Sequence, residues 1–288
     1  MKKIFFILFA SLSLISCSND EDFSQKNSSN SPQSKTANKL SSGVNVKLYK
    51  AWTSYSQKYG YAQYTRRFQV EVRNLAYDKK VVIMHEMADG TWKDFPLSYI
   101  SSTSDNTEIW GANVEIFTSY YTGDAPAVLF GDEFVARYEV NGTQYWDNNN
   151  SANYKMDALN GTFLRTDLNV SVDTFYSYIY NNYYNGATNT FAVHADVRNL
   201  NPTKEVKVVY TTDNWATSTV TSLNYTQYLT VGAQQSLISP NVFGMERWFV
   251  NIDVPSSVNS IEYAVVYKVN GVEYWDNNFG KNFIAIKK

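Results

Sequence analysis

Apolar and polar residues alternate with a period of two along most of this chain, and helical spacing is nowhere sustained. Phe68, Val70 and Val72 alternate with Gln69, Glu71 and Arg73, as Phe191, Val193, Ala195 and Val197 do with His194, Asp196 and Arg198. Val-Arg-Asn-Leu closes both runs, at 72–75 and 197–200. Further on, Trp110, Ala112, Val114 and Ile116 alternate with Asn113 and Glu115, and Trp248, Val250 and Ile252 with Asn251 and Asp253. A period of two puts each set on one face of a strand. Trp110 and Trp248 are in phase with the apolar sets and are expected in the core. The matched runs divide the chain into a first copy over residues 43–156, a linker over 157–168 and a second copy over 169–288. Short strands separated by turn signals predict an all-β chain of two tandem immunoglobulin-like β-sandwiches.

The repeat is sharpest near the end of each copy. Tyr145-Trp146-Asp147-Asn148-Asn149 recurs as Tyr274-Trp275-Asp276-Asn277-Asn278, and each is preceded by a strand-like run and an Asn-Gly pair, Asn141-Gly142 and Asn270-Gly271. Asn-Gly between alternating runs predicts a two-residue type I′ hairpin. That loop pairs Tyr138 with Tyr145 and Arg137 with Trp146, and in the second copy Tyr267 with Tyr274, Val266 with Trp275 and Lys268 with Glu273. With Phe134, Ala136, Tyr138 and Val140 facing the core, both tyrosines point inward and both tryptophans point outward. An outward indole stacks on the apolar face of a sugar ring, and an Asn amide offers a donor and an acceptor to neighbouring hydroxyls. The competing reading is a polar Asp-Asn-Asn turn beside an incidental tryptophan.

Two more tryptophans follow turn signals, in Asp89-Gly90-Thr91-Trp92 and Asp213-Asn214-Trp215. Each comes after a valine-rich strand, so each ring is expected at a sandwich edge. The alternative is a ring folded back as a lid.

Composition narrows the function classes. The net charge of −2 gives no electrostatic footprint for nucleic acid. Aromatic residues make up 16% of the chain, with 23 tyrosines, more than two cores of this size require. Lys2 and Lys3 precede an apolar run from Ile4 to Ile15, too short to span a bilayer as a mature helix, so residues 1–16 read as a signal peptide. Leu14-Ile15-Ser16-Cys17 resembles a bacterial lipobox. Cys17 is the only cysteine, which excludes a disulfide and favours lipidation of a membrane-anchored mature terminus. Ser18-Asn19-Asp20-Glu21-Asp22 resembles an export tag of surface lipoproteins, or is an ordinary polar tether. Residues 17–42 are expected to form a flexible stalk. The location implied is the outer membrane, facing outward.

The motif around Trp-Asp-Asn-Asn resembles carbohydrate-binding module family 21, the starch- and glycogen-binding type. The first copy carries Asn74-Leu-Ala-Tyr-Asp-Lys79, Trp92 and Trp146-Asp-Asn-Asn-Asn-Ser-Ala-Asn153-Tyr154. The second carries Asn199-Leu-Asn-Pro-Thr-Lys204, Asp213-Asn-Trp215 and Trp275-Asp-Asn-Asn-Phe-Gly-Lys-Asn282-Phe283. The resemblance implies a β-sandwich with two glucan sites. Its main site would take Trp92, Trp146, Asp147, Asn148, Asn149 and Asn153 in the first copy, and Trp215, Trp275, Asp276, Asn277, Asn278 and Asn282 in the second. A weaker second site would take Tyr77, Lys79 and Tyr99. Departures are Val135 and Ala264 where a third main-site aromatic stands, Thr107 where a second-site aromatic stands, and Pro202 in place of Tyr77. The last predicts a weak or absent second site in the second copy.

Non-catalytic binding of α-glucans, with no cofactor, is therefore the leading reading. A glycosidase needs two carboxylates at a controlled separation, and Glu108, Glu115, Asp132 and Glu133 form no pair repeated in both copies. His85 and His194 fall at a strand end and in outward phase, so neither reads as a triad base or a metal ligand. The third class is an adhesin or scaffold, and eukaryotic members of the family tether a phosphatase through a docking motif that the stalk lacks. An amylase or an outer-membrane transporter is compatible with this reading as a protein partner, but the sequence does not single one out. Two modules in tandem would also raise avidity on a long glucan.

Overall fold

The computed structural model describes residues 40–58, 61–103, 105–119, 130–156, 161–231 and 235–288, and among them every regular element is a β-strand. The signal segment, Cys17 and the stalk up to residue 39 lie outside the described residues, as do residues 157–160 of the linker.

Each copy is a two-sheet sandwich. The first holds β1 (Val46–Lys58), β2 (Tyr61–Arg73), β3 (Lys79–Met87), β4 (Trp92–Pro96), β5 (Ser98–Ser102), β6 (Thr107–Ser119), β7 (Phe130–Val140), β8 (Thr143–Asp147) and β9 (Tyr154–Lys155). Linker strand β10 (Thr162–Leu164) joins its first sheet, whose order is β10-β1-β2-β6-β5. Its second sheet runs β4-β3-β7-β8, with β9 also on β7.

The second copy holds β11 (Val170–Val172), β12 (Tyr178–Asn181), β13 (Thr188–Arg198), β14 (Lys204–Thr211), β15 (Thr219–Ser222), β16 (Asn224–Thr226), β17 (Tyr228–Val231), β18 (Gln235–Ile238), β19 (Met245–Pro255), β20 (Ser260–Val269), β21 (Val272–Asp276) and β22 (Phe283–Ile286). One sheet is β11-β13-β19-β16 with β12 on β13, and the other is β15-β14-β20-β21 with β22 on β20. Strands β17 and β18 form an extra hairpin that the first copy does not match among its described residues.

The alternation lines the two cores as expected. Leu48, Phe68, Val70, Ile83, Phe134 and Tyr138 are buried in the first, and Ile179, Phe191, Val193, Val208, Tyr263 and Tyr267 in the second. The hydroxyls of Tyr138 and Tyr267 each cross their sandwich to donate to a backbone carbonyl, of Arg73 and Arg198 respectively, at 2.8 Å. Asn141-Gly142 and Asn270-Gly271 all have positive φ, between 51° and 76°, as a type I′ turn requires. The hairpin register is the expected one: Arg137 faces Trp146, Tyr138 faces Tyr145, Val266 faces Trp275 and Lys268 faces Glu273.

Two boundaries differ from expectation. Residues 162–164 of the expected linker are a strand paired with β1, because Thr162 and Leu164 bury their side chains beside it. Leu40 at the end of the stalk is also buried, and the Arg73 guanidinium donates to the carbonyls of Leu40 and Ser41. Arg198 clamps the start of the second sandwich in the same way, through the carbonyls of Leu164, Arg165 and Leu168.

Candidate functional site

The outer face of the β7 sheet carries the first aromatic surface. Trp146 is 46% exposed and Trp92 is 40% exposed, the latter opening β4 opposite Glu86. The Arg137 guanidinium lies 5.4 Å from the Trp146 ring centroid and is held by Asp94 and Glu139. The ring is thus supported from its own sheet and keeps one side toward solvent.

The loop after Trp146 is built by its own polar side chains. Asn148 Oδ1 accepts from Ser151 N, Asn149 Nδ2 donates to Asn153 O, and Asn153 N donates to Asn148 O. Asn149, Asn150, Ser151 and Asn153 all have positive φ, a conformation that asparagine tolerates better than most residues. In the second copy Asn277 Oδ1 accepts from Gly280 N, Asn278 Nδ2 donates to Asn282 O, and Asn282 N donates to Asn277 O. The loop shape therefore repeats bond for bond.

Several residues expected at the sugar are turned inward instead. Asp147 is buried and accepts from Leu48 N at 2.7 Å, Tyr154 Oη at 2.7 Å and Lys47 Nζ at 2.9 Å. It closes the sandwich edge against β1 and is not placed to meet a sugar. Burial and the adjacent Asp147 carboxylate push the Tyr154 hydroxyl well above the usual range. Asp276 does the same work by accepting from Val172 N at 2.7 Å. Asn153 and Asn282 donate to Glu133 and Glu262, each at 2.8 Å, and Asn277 and Asn282 are buried. The Lys155 and Asn153 bonds hold the Glu133 carboxyl below its usual range. Asn149 stays exposed, with Asn148 and Asn278 half-buried, so these amides border the rings.

Trp215 is the clearest correction. It is 5% exposed and packs with Val209, Val266 and Trp275, which is itself half-buried. Where the first copy has Arg137 and Met84 on this face, the second has Val266 and Val209, so the apolar face draws the ring down as a lid. Its turn is held by Asp213, whose bonds from Thr211 and Thr217 keep the carboxyl at about 2. Val135 and Ala264 are buried as well, so no third aromatic joins either face.

A second aromatic surface lies at the other end of the first sandwich. Tyr77 is 97% exposed and Tyr99 51%, and both line an open groove of about 780 Å³ with Asn74, Lys79, Glu108 and Trp110. Lys79 does not reach into this groove as a free cation. Its ammonium is nearly buried and bonds Asn74 Oδ1 at 2.6 Å and Glu108 Oε2 at 2.9 Å. Glu108 also accepts from Trp110 Nε1 at 2.9 Å, and Tyr99 meets the Trp110 ring edge-on at 6.1 Å. Trp110 packs on the core as expected, yet one side of it also lines the groove. Thr107 is buried and donates to Glu71, so Trp110 supplies aromatic surface that Thr107 does not.

The same framework recurs in the second copy despite Pro202. Lys204 bonds Asn199 and Glu246, Glu246 accepts from Trp248 Nε1, and Tyr225, 43% exposed, meets Trp248 edge-on at 5.8 Å. Sequence reasoning missed Glu108, Glu246, Tyr225 and the groove side of Trp110. The signal that marks them is the shared Glu-x-Trp at 108–110 and 246–248. Among the described residues no group of three or more His, Cys, Asp or Glu is placed to hold a metal.

The comparison with known families agrees with this doubled arrangement. The family described as Carbohydrate/starch-binding module (family 21) matches residues 51–157 and 177–285. The chain is 36% identical over 98 residues to Glucoamylase 1 of Rhizopus oryzae, covering 34% of this chain and 15% of that protein. It is 32% identical over 94 residues to human Protein phosphatase 1 regulatory subunit 3B, covering 32% and 30%. It is 34% identical over 92 residues to Glycogen-binding subunit 76A of Drosophila melanogaster, covering 31% and 12%. The chain thus spans less than a third of the length of these relatives.

Among solved structures, it is similar to the starch binding domain of Rhizopus oryzae glucoamylase in complex with beta-cyclodextrin and maltoheptaose. Identity there is 27%, the TM-score is 0.30, and the match covers 42% of this chain and 99% of that one. The carbohydrate binding module of the muscle glycogen-targeting subunit of Protein Phosphatase-1 matches at 22% identity and a TM-score of 0.27, covering 38% and 73%. Because the family match takes in most of the chain, in two blocks that coincide with the two sandwiches, the chain belongs to the carbohydrate/starch-binding modules of family 21 and carries two of them.

Proposed function

We propose that both modules bind α-glucans such as starch, glycogen and maltooligosaccharides without catalysing their breakdown. The observation that carries this is the outward tryptophan, Trp146 or Trp275, fixed opposite a strand partner and bordered by a rigid asparagine loop in each module. A pyranose ring stacks on the indole while the bordering amides meet its hydroxyls. The relatives' names point the same way, since one is a glycogen-binding subunit and one solved relative is a starch binding domain. In the first module Asp94 and Glu139 hold Arg137, Asp147 accepts from Leu48 and Tyr154, and Glu133 binds Asn153 and Lys155, so these carboxylates serve as structural partners. That arrangement supports a binding role over a hydrolytic one. Affinity electrophoresis in gels with starch, glycogen or cellulose tests the reading. Retardation by the first two and not by cellulose is expected, and equal mobility in all gels would overturn it.

The N-terminal sequence supports a further proposal about place. Lys2, Lys3, the apolar run to Ile15 and Cys17 fit a lipoprotein signal with Cys17 as the acylated residue. On this reading the modules sit on the outer membrane, facing outward, and deliver glucan to an amylase or a transporter. A palmitate analogue fed to cells should label the wild type and not Cys17→Ala.

A further inference from the structure

The two sandwiches do not hang independently on a linker. Among the side chains of β1 and β2 that point away from the first module's core, Lys50, Trp52, Arg67 and Glu71 are buried. In the second, the away-facing Ser171 of β11, Asp196 of β13 and Arg247 of β19 are buried too. These two outer faces meet. Lys50 Nζ donates to Ser171 Oγ at 2.9 Å, and the Arg67 guanidinium lies 4.5 Å from the Phe175 ring centroid. Thr162, on linker strand β10 of the first module's sheet, donates to Asp196.

Asp196 also accepts from Arg247, which bonds Asp173 at 2.9 Å as well. Arg165 reaches from the linker to Glu71 at 2.6 Å. Leu164, Leu168 and Met245 are buried together with Tyr49 and Phe243 packed against them, and Phe279 of the second module's asparagine loop meets the Tyr49 ring at 5.4 Å. Separating the modules would expose this apolar cluster and strip Asp196 of its cross-module partner.

The contact fixes the order of layers. The β1 and β13 sheets lie inside, back to back, and the β7 and β20 sheets lie outside. Trp146 and Trp275 project from the outer faces of those outermost sheets. Stacked sheets pack about 10 Å apart, so the two ring-bearing sheets are separated by roughly 30 Å and face away from each other.

We propose that the tandem is a rigid two-headed cross-linker, in which the main sites point in opposite directions so that one molecule joins two α-glucan chains. This rests on the reading that Trp146 and Trp275 bind α-glucan. It redirects the expectation of avidity on one chain: a glucan segment lying on Trp146 cannot also reach Trp275 without passing around four sheets. On a flat granule only one head seats, and the other is presented to a second polymer.

The test uses the full chain with Cys17→Ser, so that no acyl chain contributes to aggregation. Mixing it with dilute glycogen should raise light scattering through a maximum near equivalence, and excess maltoheptaose should reverse the rise. Trp146→Ala and Trp275→Ala should each lower the scattering at least tenfold while both are still retarded in starch gels. A wild type that is retarded yet never aggregates glycogen overturns the cross-linker, as do single variants that aggregate it like the wild type. A wild type that is not retarded overturns the binding reading and this one together. Spin labels on Gln144→Cys and Glu273→Cys, exposed and in phase with the two tryptophans, give a readout independent of ligand. One narrow distance distribution beyond about 30 Å is expected, and a short or broad one refutes the layer order.

Discussion

Arg137 holds its guanidinium over the ring of Trp146, its neighbour across the strand pair, at 5.4 Å from the centroid. The equivalent neighbour of Trp275 is Val266, and there the ring sinks toward the sheet beside Trp215. The two modules thus present the same indole on different supports. Trp146→Ala and Trp275→Ala should each remove one maltoheptaose site in calorimetry, or weaken it roughly tenfold, since a stacking contact plus its burial gives on the order of 1–2 kcal/mol. Trp215→Ala should act differently. It opens a cavity in a packed cluster and should cost about 3–5 kcal/mol of stability in the second module, read as a lowered melting midpoint. Trp92→Ala should leave that midpoint nearly unchanged.

Asp147 holds two sheets together rather than a ligand. Removing it leaves the buried Leu48 N–H and the Tyr154 hydroxyl without their acceptor. Asp147→Ala should therefore cost about 2–4 kcal/mol in urea titration, with binding lost only where the fold is lost. Asp276→Ala removes the acceptor of Val172 N and should cost less.

Acid should destabilise the protein through its two histidines. Burial and the Arg66 guanidinium, which donates to Nε2 at 2.6 Å, hold His85 down at about 4. Burial and Arg247 do the same for His194, also at about 4. An unfolded histidine titrates near 6.5. The unfolded chain therefore binds more protons between those values, and stability falls as pH drops from about 6.5 to about 4. The His85 contribution is on the order of 3 kcal/mol at full protonation of the unfolded state. Midpoints measured across that window should decline, and His85→Gln should flatten the decline.

Arg247 sits between Asp173 and Asp196 at the module junction. Those two carboxylates drive its pKa well above the usual arginine range, against the cost of its burial. Arg247→Met leaves two buried carboxylates facing each other, and breaking such a site costs about 3–5 kcal/mol. Scanning calorimetry should show one transition for the wild type and two, shifted down, for the variant.

The strands, their facing and the hairpin register were legible in the sequence because they rest on local rules. Period-two alternation assigns each side chain a face, and Asn-Gly sets the turn that pairs Arg137 with Trp146 and Val266 with Trp275. The outward tryptophans followed from that register alone. The partners of the polar residues did not, because each is set by a strand distant in sequence: Asp147 meets Leu48 across 99 positions, and Lys79 meets Glu108 across 29. A motif spells out Trp-Asp-Asn-Asn without saying that the carboxylate turns inward. Trp92 and Trp215 read alike in the chain, and only the side chains beneath them separate an exposed ring from a buried one. The back-to-back layering was likewise invisible, because Lys50, Arg67 and Glu71 have the polarity and phase of an ordinary solvent-facing row. Their burial depends on a complementary row in the other module, and no periodicity within one strand records what lies across an interface.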